Sequence, residues 1–89
     1  KDYSNAAENF EKALSINPDL VDALSLTAFV RIAQKQPNQA INRVRRQLAL
    51  SDGNPYFYHL LGRIYETTND LDKAEGAYKK AIEIKKDFF

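Results

Sequence analysis

The chain has 89 residues, 44% of them hydrophobic and 28% charged, and its 13 Lys and Arg against 12 Asp and Glu leave a net charge of +1. That length allows one small domain that buries only about 60–65% of its unfolded surface. The near-neutral balance argues against a dedicated nucleic-acid binder, which carries a strongly basic face. The lack of Cys excludes disulfides and thiolate metal sites, and no run of about 18 apolar residues is present to span a membrane.

Five helices are predicted, at about 2–16, 20–35, 38–50, 55–68 and 71–86. The first carries the stripe Ala6, Phe10, Ala13, Leu14, Ile16 and stops at Asn17-Pro18-Asp19. The second carries Leu24, Thr27, Ala28 and Arg31 and ends before the breaker Gln36-Pro37-Asn38. The third repeats the first stripe as Ala40, Val44, Gln47, Leu48 and Leu50, and stops at Ser51-Asp52-Gly53-Asn54. Pro55 opens the fourth, where its missing N–H costs nothing; its stripe is Tyr58, Leu61, Gly62, Tyr65. The fifth follows Asn69-Asp70 with Ala74, Tyr78, Ala81, Ile82 and Ile84. Asp70 is its expected N-cap, and Lys85 and Lys86 suit the negative end of its dipole. Short connections make consecutive helices antiparallel neighbours. No segment alternates with period two, so no sheet is expected.

Every position of the first, third and fifth stripes recurs after 34 residues, as do those of the second and fourth. A fixed period of this size marks a stacked array of supersecondary units. Small residues let a neighbouring helix approach, and the large ones fill the space between neighbours.

These residues resemble the tetratricopeptide (TPR) repeat. Tyr58, Leu61, Gly62, Tyr65, Ala74, Tyr78 and Ala81 fall in order on its signature positions, and only the late proline is missing, replaced by Lys86. In the first copy Ala6, Phe10, Ala13 and Pro18 match. The middle copy is degenerate, with Thr27, Ala28, Arg31 and Gln47 where the family has Leu, Gly, Tyr and Ala. The resemblance implies an all-α fold of antiparallel helix–turn–helix repeats stacked as an α-solenoid. Residues 1–20 read as the second half of a repeat, 21–54 as a degenerate repeat and 55–88 as a full one. A chain that begins at Lys1 and has no Met reads as cut from a longer one. Each repeat buries its apolar face only against neighbours. Core-like surface is therefore expected at one end on Phe10, Leu14 and Ile16, and at the other on Tyr78, Ile82, Ile84, Phe88 and Phe89, with dimerisation or end-to-end packing as the consequence.

The resemblance also implies a protein-interaction scaffold, not an enzyme, whose first helices line a concave face that receives a partner segment. The face left free by the packing stripe carries Asp22, Ser25, Leu26, Phe29, Ile32 and Ala33 in the second copy, and Tyr56, His59, Leu60, Arg63, Glu66 and Thr67 in the third. The expected partner-binding set is Asp22, Ser25, Phe29, Ile32, Tyr56, His59, Arg63 and Glu66. Phe29 and Ile32 are large and apolar off the stripe. They read either as anchors for a partner side chain or as packing in a tightly wound superhelix. A clamp for a C-terminal carboxylate, which in the family needs Lys and Asn on first helices, is not expected. Ser25 and His59 stand at its fifth positions, Leu26 and Leu60 at the sixth, and Phe29 and Arg63 at the ninth.

Other chemistry is thin. His59 is the lone His, and Arg63 stands where a second ligand would sit, so a groove or surface contact is favoured over metal binding. Arg43, Arg45 and Arg46 read as a solvated face near a helix end, with an anion site as the alternative. Arg31, at a position for Tyr or Leu, needs a carboxylate or carbonyl partner or must snorkel. No cofactor, metal, nucleic acid or membrane insertion is expected. The partner is a protein or peptide, with a homodimer through the repeat ends as a further possibility. A structural module that self-associates through repeat surfaces is the alternative function.

Overall fold

The computed structural model describes residues 3–17, 19–51 and 53–85. They form five helices: α1 (Tyr3–Ile16), α2 (Val21–Ala33), α3 (Pro37–Ser51), α4 (Pro55–Thr67) and α5 (Leu71–Lys85). Each packs on the next, and α2 also touches α4. There is no strand among the described residues. The chain is an all-α array of stacked helix pairs in the α-solenoid manner, 39 × 31 × 19 Å in extent.

The two loops inside the helix pairs share one geometry. After α2, Lys35 N–H donates to the Ile32 carbonyl and Gln36 N–H to the Arg31 carbonyl. After α4, Asn69 and Asp70 repeat these bonds to Glu66 and Tyr65. These are Schellman ends, in which a left-handed residue satisfies the last free carbonyls. Lys35 has φ 63° and Asn69 φ 61°. Asn tolerates this region, whereas a Lys side chain crowds the following carbonyl at a cost of roughly 1–2 kcal/mol. Lys35→Gly is therefore expected to stabilise the chain by about 1 kcal/mol, read as a melting temperature higher by roughly 4–8 °C.

The starts differ. Asn54 caps α4, its Oδ1 accepting from Tyr56 N–H at 2.9 Å, with Pro55 just inside. Pro37 opens α3 in the same manner, the Gln36 carbonyl accepting from Gln39 and Ala40. Asp70 begins α5 through its backbone carbonyl, which accepts from Ala74. Its carboxylate turns to Lys73 at 3.6 Å instead of capping.

The core runs through Leu14, Leu24, Ala28, Val44, Phe57 and Leu61 and continues to Ile64, Tyr65 and Ala74. Close approach is visible at Gly62, where an added Cβ would lie 2.6 Å from the Tyr78 ring. Two sequence expectations change here. Leu14, assigned to an exposed end, is 2% exposed because α2 covers it. Leu60, assigned to the partner face, is buried at 3% with Phe57 and Ile64. A helix flanked by α2, α3 and α5 buries a wider stripe than the four signature positions. At the expected ends Ile16 and Ile82 are exposed, Phe10, Tyr78 and Ile84 are partly buried, and Phe88 and Phe89 lie outside the described residues.

The degenerate copy is repaired by polar contacts. Thr27, fully buried at a Leu position, donates its hydroxyl to the Ala23 carbonyl at 2.8 Å. Gln47, 1% exposed at an Ala position, accepts from Arg43 Nη1 at 2.8 Å. Arg43 also forks onto Glu11, with Nε and Nη2 each 2.6 Å from a carboxylate oxygen. The solvated-face reading is corrected for Arg43 alone, whose side chain is 11% exposed and paired; Arg45 and Arg46 are both exposed, and Arg45 also reaches the Tyr65 hydroxyl. Arg31 is half-buried and donates to Gln34 Oε1 at 3.1 Å.

Candidate functional site

The first helices of the two pairs are α2 and α4, which lie side by side. Phe29 and Arg63 occupy the same repeat position 34 residues apart, so neighbouring helices bring them together. The Arg63 guanidinium sits over the Phe29 ring, 5.5 Å from its centroid. Such a contact contributes about 0.5–1 kcal/mol at an exposed site. It leaves Phe29 39% exposed and its neighbour Leu26 46% exposed, an apolar surface with a cation at its edge.

The remaining expected residues divide. Ile32 is partly buried and packs against the core, whereas Phe29 stays 39% exposed beside Arg63 of α4. Asp22 is exposed and Ser25 partly buried on α2. On α4, Tyr56, His59 and Glu66 are exposed but each is engaged by α5. Lys85 Nζ stands 4.4 Å from the centre of the Tyr56 ring. His59 and Tyr78 set their rings 5.2 Å apart at 57°. The Tyr78 hydroxyl donates to Glu66 Oε1 at 2.6 Å. Burial, then the bond and charge of Glu66, push the Tyr78 phenol up to about 12. The phenol is thus the donor of this bond and Glu66 Oε1 the acceptor.

These engagements were not visible in the sequence, because α5 was assigned wholly to packing. The signal that could have found them is Gly62. A glycine on α4 facing an aromatic on α5 lets that ring lie across the helix, where it reaches His59 one turn before and Glu66 one turn after. Among the described residues no group of His, Asp and Glu could hold a metal ion, and no helix is long and apolar enough to cross a membrane.

The opposite side of the array is grooved. A cleft of about 500 Å³ lies between α3 and α5, floored by α4. A second of about 500 Å³ adjoins it toward the α4–α5 turn, and the two share Arg45, Tyr65 and Lys73. A smaller polar one of about 220 Å³ is lined by Arg31, Arg43, Arg46 and Glu11. None of these three is lined by any of the eight expected partner-binding residues.

Tetratricopeptide repeat models match residues 1–49 and residues 55–88. The chain belongs to the tetratricopeptide repeat family. It is 30% identical over 91 aligned positions to the TPR repeat-containing protein MJ0940 of Methanocaldococcus jannaschii, an alignment that covers 99% of this chain and 28% of that relative. The chain thus spans less than a third of that relative's length. Repeats of this family are in general protein-interaction modules and not catalysts.

Proposed function

We propose that this chain is a protein-interaction scaffold that receives a partner segment across the face formed by α2 and α4. The observation that carries the reading is the Phe29–Arg63 pair. A large aromatic ring stays 39% exposed with a guanidinium held over it, and Leu26 beside it adds apolar surface. Aromatic and Arg side chains of this kind are the common anchors of protein interfaces. Asp22, Ser25, Tyr56 and His59 would contact the rim of a bound segment. Ile32 and Glu66 would support it indirectly, through the core and through Tyr78. The test is affinity capture of the partner by the chain and by its Phe29→Ala and Arg63→Glu variants. Both residues are exposed, so helicity should be retained. Each variant is expected to lose at least about tenfold in affinity, and unchanged capture overturns the assignment.

A second reading is favoured by Ile16 and Ile82, which are 85% and 68% exposed. Under it the repeats self-associate through these surfaces and no segment enters the α2–α4 face. Sedimentation of the chain against its Ile82→Lys variant separates the two. A dimer that Ile82→Lys dissociates supports assembly, and a monomer at every concentration leaves the scaffold reading alone.

A further inference from the structure

The cleft between α3 and α5 lies on the side of α4 opposite the Phe29–Arg63 pair. Tyr58, Leu61 and Tyr65 line it from α4, whereas His59, Arg63 and Glu66 sit roughly 130° around the same helix, at 3.6 residues per turn. Leu48, Leu61 and Ala77 give it an apolar floor; Leu61 is 6% and Ala77 8% exposed. Arg45, Lys73 and Lys80 stand at its rim. Arg45 has no carboxylate partner among the described residues and meets Tyr65 through both its hydroxyl and its ring face. Lys73 also lies over that ring, 5.9 Å from its centroid, and pairs with Asp70 at 3.6 Å; Lys80 pairs with Glu83 at 3.9 Å. Both lysine pairs are solvent-exposed, so they contribute little and exchange readily for another carboxylate.

Gly76 is the feature that packing does not explain. It sits in the interior of α5, where glycine costs about 0.5–1 kcal/mol relative to Ala. A Cβ at Gly62 would press on the Tyr78 ring, but one at Gly76 meets nothing within 4 Å. Gly76 lines the cleft. What its missing side chain preserves is open space over the apolar floor, between cations contributed by two helices.

We infer that the α3–α5 cleft is a second interaction surface, built for an acidic peptide segment. An apolar side chain of that segment would lie on Leu48, Leu61 and Ala77 beside Gly76, with flanking carboxylates against Arg45, Lys73 and Lys80. Charge complementarity selects the acidic segment, since the rim cations outnumber the one carboxylate, Asp70, that lines the two joined clefts. A nucleic-acid strand fits less well. Tyr65 is 4% exposed with two cations over its ring, so it offers no open face for a base.

The test uses the whole chain and a fluorescein-labelled peptide in which Glu alternates with Leu, followed by fluorescence anisotropy. Lys–Leu peptide and single-stranded oligothymidylate serve as comparisons. The Glu–Leu peptide is expected to bind and the Lys–Leu peptide is not. Arg45→Glu combined with Lys73→Glu is expected to weaken binding by at least about tenfold, and Arg63→Glu to change it by less than about twofold. Gly76→Leu keeps the charge and suits the helix, and it should weaken binding by about tenfold by filling the cleft. Amide shift mapping on the unaltered chain gives a readout independent of variant folding, with Leu48, Gly76 and Ala77 expected to move most. The inference is overturned if the Glu–Leu peptide does not bind, if shifts gather instead on Phe29, His59 and Arg63, or if oligothymidylate binds as tightly as the peptide.

Discussion

Phe57→Ala is expected to cost about 3–5 kcal/mol and to leave little or no folded chain in mild denaturant. Phe57 is 0% exposed, the largest of the fully buried side chains, and clusters with Leu24, Val44, Leu61 and Ile64. Removing its ring forfeits the transfer free energy of the lost carbons and adds a cavity that helices fixed by their neighbours only partly close. A chain of 89 residues has a stability on the order of 4–13 kcal/mol. The loss is therefore roughly a quarter of the whole or more. In an array, the damage also reaches the neighbours of α4, namely α2, α3 and α5, since each unit is stable only through its interfaces. Urea titration followed by helical circular dichroism should show a midpoint lower by roughly 2 M or more. A shift under about 0.5 M would mean that the site collapses around the void and that Phe57 is not central to the core. Ile82→Ala, on an exposed apolar residue, serves as the control and is expected to stay within about 0.5 kcal/mol.

Phe57 also shows how far the sequence could be read. The period of 34 places all five helices, because it comes from positions where helices must touch, and most of those positions keep their size from copy to copy, Thr27, Arg31 and Gln47 being the departures. Phe57, Leu60 and Ile64 lie outside that signature. Their counterparts in the middle copy are Ala23, Leu26 and Val30, and Leu26 is 46% exposed while Leu60 is 3% exposed. The same Leu at the same repeat position is core on α4 and surface on α2. The difference is set by a neighbour: α2 lies beside α4, and among the described residues no helix lies on the corresponding side of α2. A pattern within one helix cannot carry that information.

The candidate face was legible to a similar depth. Phe29 and Arg63 could be placed on one face from spacing alone, and their contact follows once equivalent positions of successive first helices are neighbours. The engagement of Tyr56, His59 and Glu66 by α5 depends on side-chain reach across a helix pair, which periodicity does not encode. The α3–α5 cleft was missed for a related reason. Arg45, Lys73 and Lys80 belong to different helices, and in sequence they look like separate surface charges.

The second large effect is expected at Arg43, and its partner is 32 residues away. Arg43→Ala removes both arms of the fork to Glu11 and the donor to Gln47. Breaking a fully buried pair costs about 3–5 kcal/mol. Here the Glu11 side chain is 36% exposed, so water recovers part of its charge, and about 2 kcal/mol is expected. The pair also sets an acid limb. The hydrogen bond from Arg43 holds the Glu11 carboxyl below its ordinary value of 4.5; burial opposes the shift, and the charges of Arg43, Arg46 and Arg31 reinforce it. A carboxylate whose folded pKa is depressed binds fewer protons than in the unfolded chain. Its contribution is therefore complete above the unfolded value, and is lost as pH falls through the folded one. Between neutral pH and pH near 3 the unaltered chain should lose more stability than Glu11→Gln or Arg43→Ala, in which this proton linkage is absent or weakened. A double-mutant cycle gives the coupling directly: roughly 1–2 kcal/mol at neutral pH, shrinking in acid. If the coupling is zero at neutral pH, or does not change with pH, the fork is a surface contact. The departures Gln47 and Arg31 would then need another explanation than a polar network that replaces the family's apolar packing in this copy.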